Sequence, residues 1–248
     1  SGGTGLVGGQ IAPEKYFVTL SMERMNKIMN FSPVNQSIEV EAGVVLETVH
    51  EFVEKKNFIF PLSMASKGSC CIGGNLATNA GGIGVLKYGN ARDLCLGLEV
   101  VLADGSIIND LKTLKKDNTG YDLKNLFIGS EGSLGIITKA VLRLYPTPSN
   151  KIVTFFEVQN FNSALHSYLE ISKRFGQFLQ AFELISGVGL QFLEETKMVQ
   201  TVVKENKEMR NIIMDQQKQM GELIPKIGNN ITNNTTNNTT NKLFVSFI

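Results

Sequence analysis

An α+β fold is what this chain predicts, and three observations carry the prediction. Short apolar runs with period-two alternation are interspersed with stretches whose apolar residues recur at helical spacing. Asp104-Gly105 joins two neighbouring apolar runs directly, which is a strong hairpin signal. Pro146 and Pro148 then break the pattern, and a strand, a helix and a further strand begin again behind them.

Taken in order, residues 16–20 read as a short strand, and Ser21 is placed to cap a brief helical turn through Met25. A second strand spans 37–42 and is closed by Gly43. Leu46, Val49 and Val53 recur at helical spacing over 45–56, with Glu47 and Glu51 on the wet side. Residues 94–102 are an apolar run rich in leucine and valine. Asp104-Gly105, both able to take positive φ, turns that run back into 106–108. Residues 121–127 suit a short helix ended by Gly129. Over 136–144 the chain alternates, with Ile137, Lys139, Val141 and Arg143 on one face and Ile136, Ala140, Leu142 and Leu144 on the other. That is the pattern of a half-buried strand. Past the prolines, 151–158 is strand-like. A helix follows with the stripe Ala164, Tyr168, Ile171 and Phe175, and 178–185 is a strand again.

The last part changes character. Over 194–227 the chain is charged and glutamine-rich, with Met198, Val202, Met209, Ile212, Ile213, Met220, Leu223 and Ile224 spaced for a long amphipathic helix without a clean heptad. Such a helix suits self-association through 196–228 or a seat on its own domain, and both stay open. Residues 229–241 are almost pure Asn and Thr, so 229–248 is expected to be a disordered tail.

Twenty-four basic against twenty-three acidic residues leave no excess charge to steer nucleic acid or an anionic surface. No run of eighteen apolar residues occurs, so no transmembrane segment is expected. Three cysteines, two of them adjacent at Cys70 and Cys71, make no disulfide framework, and a reducing compartment is the default. His50 and His166 read as surface residues, far apart and without neighbours at metal-ligand spacing, so no metal site and no catalytic residue is assigned.

The chemistry lies in the glycines. Residues 70–84, Cys-Cys-Ile-Gly-Gly-Asn-Leu-Ala-Thr-Asn-Ala-Gly-Gly-Ile-Gly, hold five glycines in fifteen positions, a composition expected to line a ligand with backbone rather than to pack as helix or strand. The opening Ser-Gly-Gly-Thr-Gly-Leu-Val-Gly-Gly satisfies G-x-G-x-x-G at Gly3, Gly5 and Gly8. It lacks the preceding strand and following helix of a dinucleotide-binding turn, with Pro13 where that helix would run. What remains is a chain of exposed N–H groups suited to phosphate oxygens.

Together with Lys-Asp-Asn-Thr-Gly-Tyr-Asp-Leu at 116–123 and Ile-Gly-Ser-Glu-Gly-Ser-Leu-Gly-Ile-Ile at 128–137, these loops resemble the PCMH-type FAD-binding domain of the vanillyl-alcohol oxidase superfamily. Within it the chain is most similar to the D-2-hydroxyglutarate dehydrogenase and D-lactate dehydrogenase family, from residue 1 to about residue 195. The resemblance implies FAD as cofactor. Gly2, Gly3, Thr4, Gly5, Leu6 and Gly9 would hold its pyrophosphate, with Ser1 where the family often has glycine. Gly68, Ser69, Gly73, Gly74, Asn75, Thr78, Asn79 and Gly81 would run beside dinucleotide and flavin, preceded by Pro61, Leu62 and Ser63. Glu131, Gly132, Gly135 and Ile136 would close on the adenine and ribose side. Each has a plainer reading: Gly132 and Gly135 as turn residues, Asn75 and Asn79 as partners of their own loop, Glu131 as a cap.

The resemblance further implies an FAD-binding domain over 1–147 that lacks its N-terminal lobe, the start of an α+β cap over 148–195, a D-2-hydroxy acid as substrate, and an electron-transferring flavoprotein or quinone as acceptor. Mitochondrial members are eukaryotic and cytoplasmic ones bacterial. The substrate cations, metal ligands and base of such proteins come from the cap and beyond, so the expectation is a flavoprotein oxidoreductase fragment. The alternative is a non-catalytic flavin-binding domain fused to a self-associating helical tail.

Overall fold

The computed structural model describes residues 2–12, 16, 18–189 and 192 in full and 241–247 as backbone. The chain divides into two compact units, Ser1–Ser149 and Asn150–Ile248.

The first unit is organised by a five-stranded antiparallel sheet among the described residues. Its strands are β1 (Ile28–Ser32), β2 (Ser37–Glu41), β4 (Cys95–Val101), β5 (Ile107–Asp110) and β6 (Ile136–Arg143), in the order β1-β2-β6-β4-β5. The register sets Ile38 opposite Leu142, and Val40 and Leu98 on either side of Ala140, so one sheet face carries residues that are all at most 2% exposed. β6 is central and departs from the half-buried expectation. Ile137 and Val141, on the same face as Lys139 and Arg143, are buried as well, and helix packing reaches β6 besides its neighbouring strands. A small pair, β3 (Phe58–Ile59) with β7 (Tyr145–Pro146), lies beside helix α1 (Leu46–Glu54), whose Leu46, Val49 and Val53 are buried as their spacing requires.

Several expectations are corrected. Residues 18–20 are irregular rather than strand. The helical turn after Ser21 is a single turn in which the Met25 N–H donates to Met22, while β1 forms instead from Ile28. The hairpin after β4 places only Gly105 at positive φ, +84°. Gly105 donates to Leu102 and Leu102 to Ser106, a three-residue loop with its glycine left-handed. The helix expected at 121–127 shortens to α4 (Lys124–Phe127). The glycine-rich stretch does contain a packed helix, α2 (Ile72–Ala77), followed by the single turn α3 (Val85–Tyr88). α2 packs on β2 and β6 with Ile72 and Leu76 buried. A helix of Ile-Gly-Gly-Asn-Leu-Ala forms because its glycines let it lie against Ala42, a tertiary gain that outweighs their low propensity.

The second unit contains β8 (Ile152–Val158), α5 (Phe161–Phe175), β9 (Leu179–Ile185) and β10 (Asn241–Phe247), with β10 in the middle of the sheet and antiparallel to both neighbours. Asn160 caps α5, its side-chain oxygen accepting from the Ser163 N–H at 2.9 Å. Val158, Ala164, Ile171 and Leu179 form the core, with Tyr168 and Phe182 edge to face at 5.1 Å. Phe175 is 40% exposed, so it does not complete the predicted stripe. β10 corrects the expectation of a disordered end over 241–247. Lys-Leu-Phe-Val-Ser-Phe is rich in strand formers and pairs with β8 and β9 far from it in sequence. The amphipathic helix read over 196–228 lies outside the described residues.

Candidate functional site

The first unit holds a cleft of about 570 Å³, built from three chain segments around α2. The opening loop supplies Gly2, Thr4, Gly5 and Gly9. Gly3 and Gly8 adopt φ of +65° and +79°, conformations that side chains rarely take. The loop folds on itself, with Gln10 Nε2 donating to the Gly5 carbonyl at 2.7 Å and the Ile11 N–H to that of Gly8 at 3.0 Å. Gly2 lies flat on the second loop: a Cβ there would stand 1.7 Å from the Ser69 carbonyl oxygen, so only glycine fits. Gly3 and Leu6 are outside the cleft lining, Leu6 fully exposed.

α2 supplies Gly73, Gly74 and Asn75, and its C-cap supplies Thr78. The Gly73 amide is already taken by the Ala42 carbonyl at 2.7 Å, so Gly73 lets α2 approach β2 and is no free donor toward a ligand. Asn75 is buried, its Nδ2 3.6 Å from Cys70 Sγ. The Thr78 hydroxyl donates to the Gly74 carbonyl at 2.9 Å and keeps its lone pairs for the cleft. Gly68, Ser69, Asn79 and Gly81 lie off the lining. The Asn79 side-chain oxygen accepts from the Arg92 N–H, the local role weighed for it. Pro61 and Leu62 are buried scaffold. The Ser63 carbonyl accepts from Ile83, and the Leu62 carbonyl meets a ring nitrogen of His50 at 3.0 Å. His50 is therefore half-buried and not the surface residue expected.

The third segment supplies Ser130, Glu131, Gly132, Gly135 and Ile136. Glu131 and Gly132 are both left-handed, at +52° and +82°, and the Glu131 N–H donates to the Ala77 carbonyl at the end of α2. Gly135 allows close contact with Val100, 2.7 Å from where its Cβ would sit. Apolar walls that the sequence did not announce come from Met22, Met64 and Ile137. Cys70 and Cys71 also line the cleft, and burial pushes the Cys71 thiol up in pKa.

Among the described residues the lining offers no cationic side chain, and Glu131 is its one carboxylate. A phosphate there would be met by backbone N–H groups. The Ser130 hydroxyl is buried without a hydrogen-bond partner, as a group awaiting a polar ligand would be. Size, apolar walls, glycine faces and an orphaned hydroxyl all fit a large, flat, phosphate-bearing cofactor.

Residues 1–110 match the family model of the FAD binding domain. The first unit has the fold of a PCMH-type FAD-binding domain, and the cofactor that goes with it is FAD. The mitochondrial D-2-hydroxyglutarate dehydrogenase of Bos taurus is 48% identical over 184 residues, which are 74% of this chain and 34% of the bovine protein. That of Rattus norvegicus is 43% identical over 205 residues, covering 83% of this chain and 38% of the rat protein. The chain thus spans about a third of the length of these relatives. A solved alkyldihydroxyacetonephosphate synthase superposes with a TM-score of 0.71 over 99% of this chain and 41% of its own, at 20% identity, a likeness of fold.

Proposed function

We propose that this chain is the FAD-binding part of a flavin-dependent oxidoreductase that oxidises D-2-hydroxyglutarate, or a similar D-2-hydroxy acid such as D-lactate, to the 2-oxo acid. The observation that carries the reading is the 48% identity to the bovine dehydrogenase over 184 residues. Bound FAD supplies the acceptor for the hydride that leaves the hydroxyl-bearing carbon.

In this reading the glycine amides of the opening loop hold the pyrophosphate, and Thr78 and the Ser130 hydroxyl add side-chain hydrogen bonds. Met22, Met64, Ile136 and Ile137 exclude water from the cofactor's apolar faces. A 2-hydroxy acid also needs cations for its carboxylate and a base for its hydroxyl proton. The cleft lining offers no cation for the first task, and its one carboxylate, Glu131, is read as a partner of the cofactor's ribose, so those groups are assigned to chain beyond the cleft. Electrons then pass to an electron-transferring flavoprotein or a quinone, and the mitochondrial location of both relatives supports the same compartment.

The test is anaerobic addition of D-2-hydroxyglutarate to the FAD-loaded protein that carries these residues. Bleaching of the visible flavin bands by the D enantiomer and not by the L enantiomer supports the reading, and bands that stay unchanged with D-2-hydroxyglutarate, D-lactate and glycolate contradict it.

A further inference from the structure

Arg92 lies outside the cleft and outside every glycine motif, yet three segments converge on it. Its backbone N–H donates to Asn79 Oδ1 at 3.0 Å, and its half-buried guanidinium donates to the carbonyls of Asn125 and Ile128, both at 2.5 Å. Hydrogen bonds from a charged, planar donor are the strong ones, and a fork can serve two carbonyls at once.

These partners stand at the two roots of the cleft wall. Asn79, at φ +48°, ends the turn that follows α2. Ile128 ends α4 and begins the turn that carries Ser130, Glu131 and Gly132 into the cleft. Gly129, at φ +84°, rests on the guanidinium: a Cβ there would stand 3.2 Å from Arg92 Nη2 and 3.5 Å from Asn79 Cβ. From that point the Gly129 N–H donates to the Leu76 carbonyl at 3.0 Å and the Glu131 N–H to the Ala77 carbonyl at 2.9 Å. Left-handed backbone at the non-glycine residues Asn79 and Glu131 is unfavourable and persists only where the surroundings over-determine it. Arg92 is the side chain that joins those surroundings.

We propose that Arg92 is a positioning residue for the cofactor cleft, pinning the Glu131–Gly132 turn against the end of α2 so that the cleft is formed before FAD arrives. The proposal rests on the reading that FAD occupies this cleft. It assigns to Arg92 no contact with the cofactor. Without the guanidinium the carbonyls of Asn125 and Ile128 lose their donor and the turn is released, so FAD must reorder it on binding and binds more weakly.

The test uses the full chain with Arg92→Ala, Arg92→Lys and Thr78→Trp. FAD affinity is read by flavin fluorescence titration and backbone order by amide hydrogen exchange without FAD. Arg92→Ala should weaken FAD binding by about tenfold or more. The Gly129 and Glu131 amides should exchange faster while those of β4 and β6 keep their protection, which separates release of the turn from general loosening. Added methylguanidinium should restore much of the affinity and methylammonium should not, and Arg92→Lys should resemble alanine more than wild type. Unchanged affinity, or unchanged exchange at Gly129 and Glu131, overturns the proposal. Thr78→Trp places bulk in the cleft itself. If that variant binds FAD as wild type does, or if wild type binds none, the cleft reading falls and the role toward FAD falls with it.

Discussion

Replacing Gly73 with alanine should weaken the first unit, although alanine is the better helix former. Gly73 sits in the first turn of α2, and a Cβ built on it stands 2.7 Å from Ala42 Cβ and 3.1 Å from the Ala42 carbonyl oxygen. Methyl carbons in contact settle at roughly 3.5–4.0 Å, so α2 must retreat from Ala42 by about 1 Å. Retreat stretches the 2.7 Å hydrogen bond from Gly73 to Ala42 and loosens Ile72 and Leu76, now at most 2% exposed. Overpacking of this kind costs about 1–3 kcal/mol, against which alanine returns about 1 kcal/mol of helix propensity. A net loss of up to about 2 kcal/mol is expected, read as a shift in urea unfolding followed by far-ultraviolet circular dichroism. Ala42→Gly removes the opposing methyl. The double variant should therefore be more stable than the sum of the singles by about 1 kcal/mol or more. A Gly73→Ala chain more stable than wild type, or strictly additive substitutions, would refute the close-approach argument.

Three further outcomes follow from the same structure. Burial is the main cause that lowers the His50 pKa below its ordinary 6.5, with Lys67 adding to it and the Leu62 and Phe60 carbonyls and Glu47 opposing. The unfolded chain then binds the proton more readily, so this stability is complete above pH 6.5 and is lost as pH falls toward the folded value. Urea unfolding should show that loss, and His50→Gln should reduce its slope. Cys95 is fully buried and its thiol is pushed up to about 12, so iodoacetamide at mildly alkaline pH should leave it unlabelled in the native chain and label it in urea; fast native labelling contradicts its place in β4. Asn160→Ala removes the α5 cap and should cost about 1 kcal/mol, whereas Asn160→Asp should cost little; equal losses would mean that the cap is not what matters.

Much of the framework was legible because it is periodic. β2, α1, β6 and α5 each carry a repeat of two or of three to four residues, β4 is an apolar run, and these elements, with β8 and β9, lie where those patterns point. The misses share a cause, which is dependence on distant chain. β1 has exposed Met29 and Asn30 in its middle and is a strand because β2 is beside it. α2 holds its glycines only because Ala42 is there to receive Gly73. β10 pairs with strands more than fifty residues away in sequence.

The cleft divides in the same way. Glycine loops announce themselves, and Gly2, Gly5, Gly74 and Gly132 do line it. Met22 and Met64 lie on irregular loops where an apolar residue has no period to betray it. Arg92 is a lone cation in the sequence. Its importance comes from carbonyls thirty-three and thirty-six positions away. Leu62 and Ser63 offer their carbonyls to His50 and to Ile83, and with Pro61 they lie off the cleft lining.

The central claim is that these glycine-faced loops form an FAD site, and one spectrum tests it most directly. The purified chain is incubated with FAD, desalted and scanned through the visible range, beside Thr78→Trp treated identically. The account predicts flavin bands retained by the wild-type chain and lost from the variant, because Thr78 lines the cleft. A colourless wild-type chain, or flavin held equally by both, would contradict it.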